Sequence, residues 1–81
     1  MMQFIHTKCL EKADDVQVEV KSNLPVAEAN RLFYAKVHEL IEEGLDNEYL
    51  QVKADIHSNK AVVLIESVRH IVVIRKEEDQ Q

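Results

Sequence analysis

The chain has 81 residues, 46% of them hydrophobic, and carries 15 acidic against 10 basic side chains for a formal charge of −5. That length holds one core and not two, and the composition is that of a folded domain, not of a disordered segment. A single glycine and a single proline exclude phosphate loops built on repeated glycines, and a single cysteine excludes an internal disulfide and a zinc site of several thiolates.

Residues 3–9, with Phe4, Ile5 and Thr7, predict a first strand. Glu11, Lys12, Ala13, Asp14 and Asp15 connect it to a second, in which Val16, Val18 and Val20 alternate with Gln17, Glu19 and Lys21. A period of two predicts one face buried and one wet. The two strands are expected to pair as a hairpin, with a register that so long a connection leaves open.

Ser22, Asn23 and Leu24 end this strand, and Pro25 suits the first turn of a helix, where its missing N–H costs nothing. Val26, Ala29, Phe33, Val37, Leu40 and Ile41 then fall on one stripe at spacings of three and four, with Glu28, Arg31, Glu39, Glu42 and Glu43 away from it. Gly44 is expected just past the helix end, in the left-handed conformation that other residues resist. The helix is predicted over residues 25–43.

Leu50, Val52, Ala54 and Ile56 alternate with Gln51, Lys53, Asp55 and His57, which predicts a third, half-buried strand, followed by a turn at His57, Ser58, Asn59 and Lys60. Residues 61–65 are apolar at every position, and so are residues 71–74 after Glu66, Ser67, Val68, Arg69 and His70. Their β-branched content favours two further strands over a helix. The expected fold is therefore a two-layer α+β domain over residues 1–76: a mainly antiparallel sheet with one long helix on one face, in the order β-β-α-β-β-β. Residues 77–81 are expected to form a charged, frayed tail.

Apolar strands without alternation place hydrophobic side chains on both faces of a sheet, and one helix covers only one. The uncovered face needs the N-terminal hairpin folded over it, closure into a partial barrel, or a second chain. The reading adopted is a twofold homodimer or docking on a protein partner, with Val63, Ile65, Ile71 and Val73 as the interface. Lys60, Glu66, Arg69, Arg75 and Lys76 flank the apolar runs and suit a role in opposing aggregation.

No catalytic, cofactor-binding or metal-binding residue is assigned. His6, His38, His57 and His70 show no i, i+4 pairing and no HExxH pattern, and His6 and Cys9 fall on opposite faces of their strand. His38 is expected half-buried beside Tyr34, and His57 and His70 in or beside turns. Cys9 reads as a buried strand cysteine, and the runs at Asp14, Glu42 and Glu77 as solvated charge. The negative charge and the scattering of Phe4, Phe33, Tyr34 and Tyr49 argue against direct nucleic-acid binding. No apolar run approaches membrane-spanning length and the N-terminal segment lacks a signal-peptide pattern, so a cytoplasmic location is expected. Function is thus expected to be that of a non-catalytic protein–protein interaction module. One alternative is a small-ligand-binding protein or minimal enzyme, with Tyr34, His38 or His6 in a pocket between helix and sheet. Another is an acidic inhibitor that places Glu39, Glu42, Glu43 and Asp46 in a basic site of another protein.

Overall fold

The computed structural model describes residues 1–10, 12, 15–46, 49–55 and 58–77. The chain runs through β1 (Met2–Leu10), β2 (Asp15–Leu24), α1 (Val26–Gly44), β3 (Leu50–Asp55), β4 (Lys60–Ile65) and β5 (Val68–Lys76). The five strands form one sheet in the order β2-β1-β5-β4-β3, antiparallel at every pairing, and α1 crosses one face. This is the two-layer α+β fold in the expected order. The strand order places β1 and β5, first and last in sequence, together at the centre, paired from Met2↔Lys76 to Leu10↔Val68. Glu77, expected to begin a frayed tail, instead donates its amide to the Met1 carbonyl at 3.0 Å, and its carboxylate accepts the Asn23 amide. Residues 78–81 lie outside the described residues.

Strand parity decides what the helix covers. Phe4 and His6 of β1, His70, Val72 and Ile74 of β5, Ala61, Val63 and Ile65 of β4, and Leu50 of β3 share the helix side. The core brings Phe4, Ala61, Val63, Val72 and Ile74 against Ala29, Phe33 and Leu40 of α1, and every one of these is buried. Burying such aliphatic and aromatic side chains contributes roughly 1.5–3 kcal/mol each. The stripe expected on the helix therefore begins at Ala29: Val26 is exposed, because it opens the helix beside β2, which α1 does not cover.

Both edge strands depart from expectation. The β2 valines were expected on a buried face, yet Val16, Val18 and Val20 remain 58%, 60% and 51% exposed. Their register partners Cys9, Thr7 and Ile5 point to the side without the helix, and β2 has only β1 beside it. On the far edge, Val52 faces the helix side but lies beyond its reach, so only the Leu50 end of β3 is half-buried. Ile56 and His57 lie outside the described residues.

The helix termini use proline and glycine differently from the sequence expectation. Pro25, with φ −58° and ψ 153°, is the N-cap and not the first helical residue; its carbonyl accepts the Ala29 amide at 2.9 Å. Gly44 is the last helical residue and does not have a positive φ; the following Leu45 is itself right-handed. What requires glycine there is close approach. A Cβ at position 44 would lie 2.7 Å from Leu50 Cδ1 and 3.1 Å from Ile65 Cγ1, so the missing side chain lets the end of α1 settle on β3 and β4. Left-handed backbone occurs instead at Asn23, Asn59 and Glu66. Asn23 takes up the extra residue where the β1–β2 register slips between Met2 and Phe4. Glu66 has φ 56° at the first position of the two-residue β4–β5 turn, where the twist of the hairpin demands that sign at a cost of roughly 1–2 kcal/mol for a residue with a Cβ.

Candidate interaction surface

The side of the sheet opposite α1 carries Val16, Val18 and Val20 from β2, Ile5 from β1, Ile71 and Val73 from β5, and Val62 and Leu64 from β4. Thr7 and Cys9 fill the remaining β1 positions of this block, and the row Val18, Thr7, Ile71 and Val62 is apolar or weakly polar across four strands, whereas Arg69 stands between Cys9 and Leu64 and Lys60 beside Val73 in the flanking rows. Cross-strand neighbours shield the central side chains to intermediate exposure, whereas the β2 valines have neighbours on one side only and stand out as a ridge.

Of the interface residues expected from sequence, the structure divides Val63 and Ile65 from Ile71 and Val73. Val63 is fully buried under the helix and Ile65 shares that side, whereas Ile71 and Val73 belong to the helix-free block. Their β4 companions there are Val62 and Leu64, because Val62 pairs Ile71. Val16, Val18 and Val20, expected to be core, complete the surface.

Charge bounds this block unevenly. Basic side chains gather toward β4 and β3: Lys60 and Lys53, with Arg69 and Arg75 at the two ends of β5, against the single strand acid Asp55 opposite Lys60. The β2 half has no charged side chain among its valines. At one end a polar chain closes the block, as Arg75 Nε donates to Gln3 Oε1 at 2.9 Å and Gln3 Nε2 donates to Ser22 Oγ at 3.3 Å. Over β4, a hollow of about 510 Å³ has Val62, Leu64 and Ile71 as its floor and Lys53, Lys60 and Arg69 on its rim.

On the helix side, His6 and His70 meet across β1 and β5, with Nε2 of His6 3.0 Å from Nδ1 of His70 and nearly parallel rings. His70 was expected in or beside a turn; it sits inside β5, buried, in step with Val72 and Ile74. No alternation in residues 71–74 marks this; it is the parity of β5, with Val72 and Ile74 facing the helix, that brings His70 inward. Burial lowers the pKa of both rings below the ordinary value of 6.5. Lys36 adds to this at His6, and His6 itself adds to it at His70. Lys8 lowers both further, and Lys36 also acts on His70; Glu19 and Glu39 at His6 and Glu43 at His70 oppose these effects. One ring must donate and the other accept, so protonating both breaks the bond. The folded state then binds fewer protons than the unfolded chain just below pH 6.5. Stability from this pair is expected to be complete above that value and to be lost as pH falls through the depressed folded values. Urea unfolding across this range checks it, and the loss should be smaller in His6→Gln/His70→Gln.

The other candidates for chemistry point elsewhere. Tyr34 is exposed and meets Phe33 edge-on, and His38, expected half-buried, is 73% exposed beside Glu42. Both side chains are exposed, not enclosed between helix and sheet. His6 lies under the helix and Cys9 on the open face, as strand parity requires. Among the helix acids, Glu39 pairs with Lys36 at 3.4 Å and Glu42 with His38, while Glu43 and Asp46 are exposed. Among the described residues, no group of three or more His, Cys, Asp or Glu side chains is placed to hold a metal ion, and no helix is long and apolar enough to cross a membrane. Fold and surface together define a small two-layer α+β domain with one open apolar sheet face. No protein-family model, curated protein or solved structure matches the chain.

Proposed function

We propose that this chain is a non-catalytic protein–protein interaction module that forms a twofold homodimer through the helix-free face of its sheet. The observation that carries this reading is the apolar block centred on Val18, Thr7, Ile71 and Val62 of β2, β1, β5 and β4, opposite the only helix among the described residues. Strands about 4.8 Å apart and same-face residues about 6.8 Å apart give a patch of roughly 20 by 20 Å. Two such patches bury roughly 800 Å² before their rims are counted, below the roughly 1,200 Å² at which stable specific interfaces begin and in the range of weak, transient association. The dimer is therefore expected to be weak and to dissociate on dilution. A face that contacts only another copy or a protein partner needs no placed nucleophile, base or metal, and between α1 and the strands β1, β5 and β4 the space is taken by the core.

Light scattering on a size-exclusion column tests the reading. The parent chain is expected to show the mass of two chains at high micromolar concentration and to shift toward one on dilution. Val62→Glu should be monomeric throughout, with unchanged circular dichroism. A parent chain that holds the mass of one chain at every concentration would overturn the proposal.

A further inference from the structure

We infer that the helix-free face docks an acidic amphipathic helix of a partner protein, laid along β4 with its apolar stripe over Val62, Leu64 and Ile71. This partner rests on the use of the face proposed above, and it competes there with the second copy.

Charge selects the sign of the partner. The strands place Lys53, Lys60, Arg69 and Arg75 on this face against the single strand acid Asp55, in a chain whose formal charge is −5. A second copy brings the same cations to the contact, and like charges brought together keep the self-contact weak. Acidic side chains in their place turn that repulsion into attraction.

Main-chain pairing selects a helix. β1, β5 and β4 each have a strand on both sides, so their N–H and C=O groups are taken up within the sheet. A segment buried on this face meets side chains only and must satisfy its own main chain, which a helix does and a lone extended strand does not. Shape fits the same occupant. The hollow of about 510 Å³ over Val62, Leu64 and Ile71 continues along β4 in both directions. It adjoins about 400 Å³ beside Lys60 and Val62 and about 460 Å³ beside Leu64 and Ser67, where Lys12 and Glu66 offset each other. Lys53 of β3 and Arg69 of β5 flank β4 two strand spacings apart, about 10 Å, which is the diameter of a helix. From Lys60 to Ile65 the strand runs about 17 Å, the length of three helical turns. The partner helix therefore carries acids on both flanks of its apolar stripe, toward Lys53 on one side and Arg69 on the other, with Lys60 near one end. A planar lipid surface does not fill a trough of this shape.

Fluorescence anisotropy tests this with two labelled peptides of about four helical turns. Both carry a leucine stripe at helical spacing, one with glutamate and the other with lysine on its two flanks. The glutamate peptide is expected to bind the parent chain at least tenfold tighter than the lysine peptide, and to shift its mass by light scattering toward one chain plus one peptide. Lys53→Glu/Arg69→Glu should lose that preference. Lys21→Glu/Lys76→Glu, the same charge change on the helix side, should keep it, with both folds checked by circular dichroism. Equal loss in the two double variants, or equal binding of the two peptides, overturns the assignment. Pelleting of the parent chain with phosphatidylglycerol vesicles while neither peptide binds overturns it in favour of an anionic lipid surface. Dimer mass without binding of either peptide overturns the partner and leaves the self-association in place. Selective binding of the glutamate peptide by a chain that, without peptide, holds the mass of one at every concentration overturns the self-association and leaves the partner.

Discussion

Val72→Glu is expected to unfold the domain, whereas Ile71→Glu, one residue away on the same strand, leaves it folded and breaks self-association. Val72 is fully buried in the centre of β5, with His6 and Ala61 as its cross-strand neighbours and the α1 side chains above. A carboxylate there has no cationic partner in the core, and desolvating it unpaired costs several kcal/mol even after protonation. The lost valine packing adds to this. The total rivals the whole stability of a chain this size, about 4–12 kcal/mol at 0.05–0.15 kcal/mol per residue. At position 71 the same side chain lies on the helix-free side between Thr7 and Val62 and keeps its water in the monomer. In a twofold contact each copy must bury one such carboxylate, so the dissociation constant is expected to weaken at least a hundredfold. Thermal melts by circular dichroism read the first effect, and light scattering the second. Equal melts for both variants would refute the assignment of faces.

Phe4→Ala is expected to lower stability by about 3–5 kcal/mol, the range for removing a buried aromatic side chain from a packed core. Phe4 is 1% exposed on β1, a central strand, and is the bulkiest fully buried side chain. Ile74 lies opposite it on β5, and the core residues of the helix close over the same cluster. The surrounding core side chains are fixed on the sheet and the helix and can relax only in part, so a cavity persists. Urea unfolding should show a midpoint lowered in proportion to that loss, with the slope little changed. Phe4→Leu, which keeps most of the volume, should retain a clear folded baseline.

Periodicity made the element order legible, and with it the layer architecture. The spacing of Ala29, Phe33, Val37 and Leu40 can only be a helix face, and the alternations around Val18 and Val52 can only be strands. Which side of a strand meets the helix is a different matter. In residues 61–65 every position is apolar, so either parity satisfies the sequence, and the structure buries Ala61 and Val63 while leaving Val62 and Leu64 to the open face. That choice separates Val63 and Ile65 from Ile71 and Val73. At β2, alternation correctly marks two unlike sides, but the valines face away from the helix because the strand stands at an edge that α1 does not reach. Edge position follows from long-range pairing, and no local pattern encodes it. Gly44 and Pro25 illustrate the same limit: each stands at a helix end, as composition suggests, while the reason for the glycine is its distance from Leu50 and Ile65.

The central pairing of β1 with β5 also sets the schedule on which the domain can assemble. Met2 finds Lys76, and Leu10 finds Val68, only after nearly all of the intervening chain has been made. A nascent chain emerging from the ribosome therefore carries β1 without its inner neighbour until β5 has been made, and the β1–β2 hairpin must wait with its valines uncovered. Contacts so distant in sequence slow folding and lengthen the exposure of apolar surface. Deletion of residues 68–76 accordingly removes more than a fifth element: β1–β2 and β3–β4 would lose the only strand that joins them into one sheet.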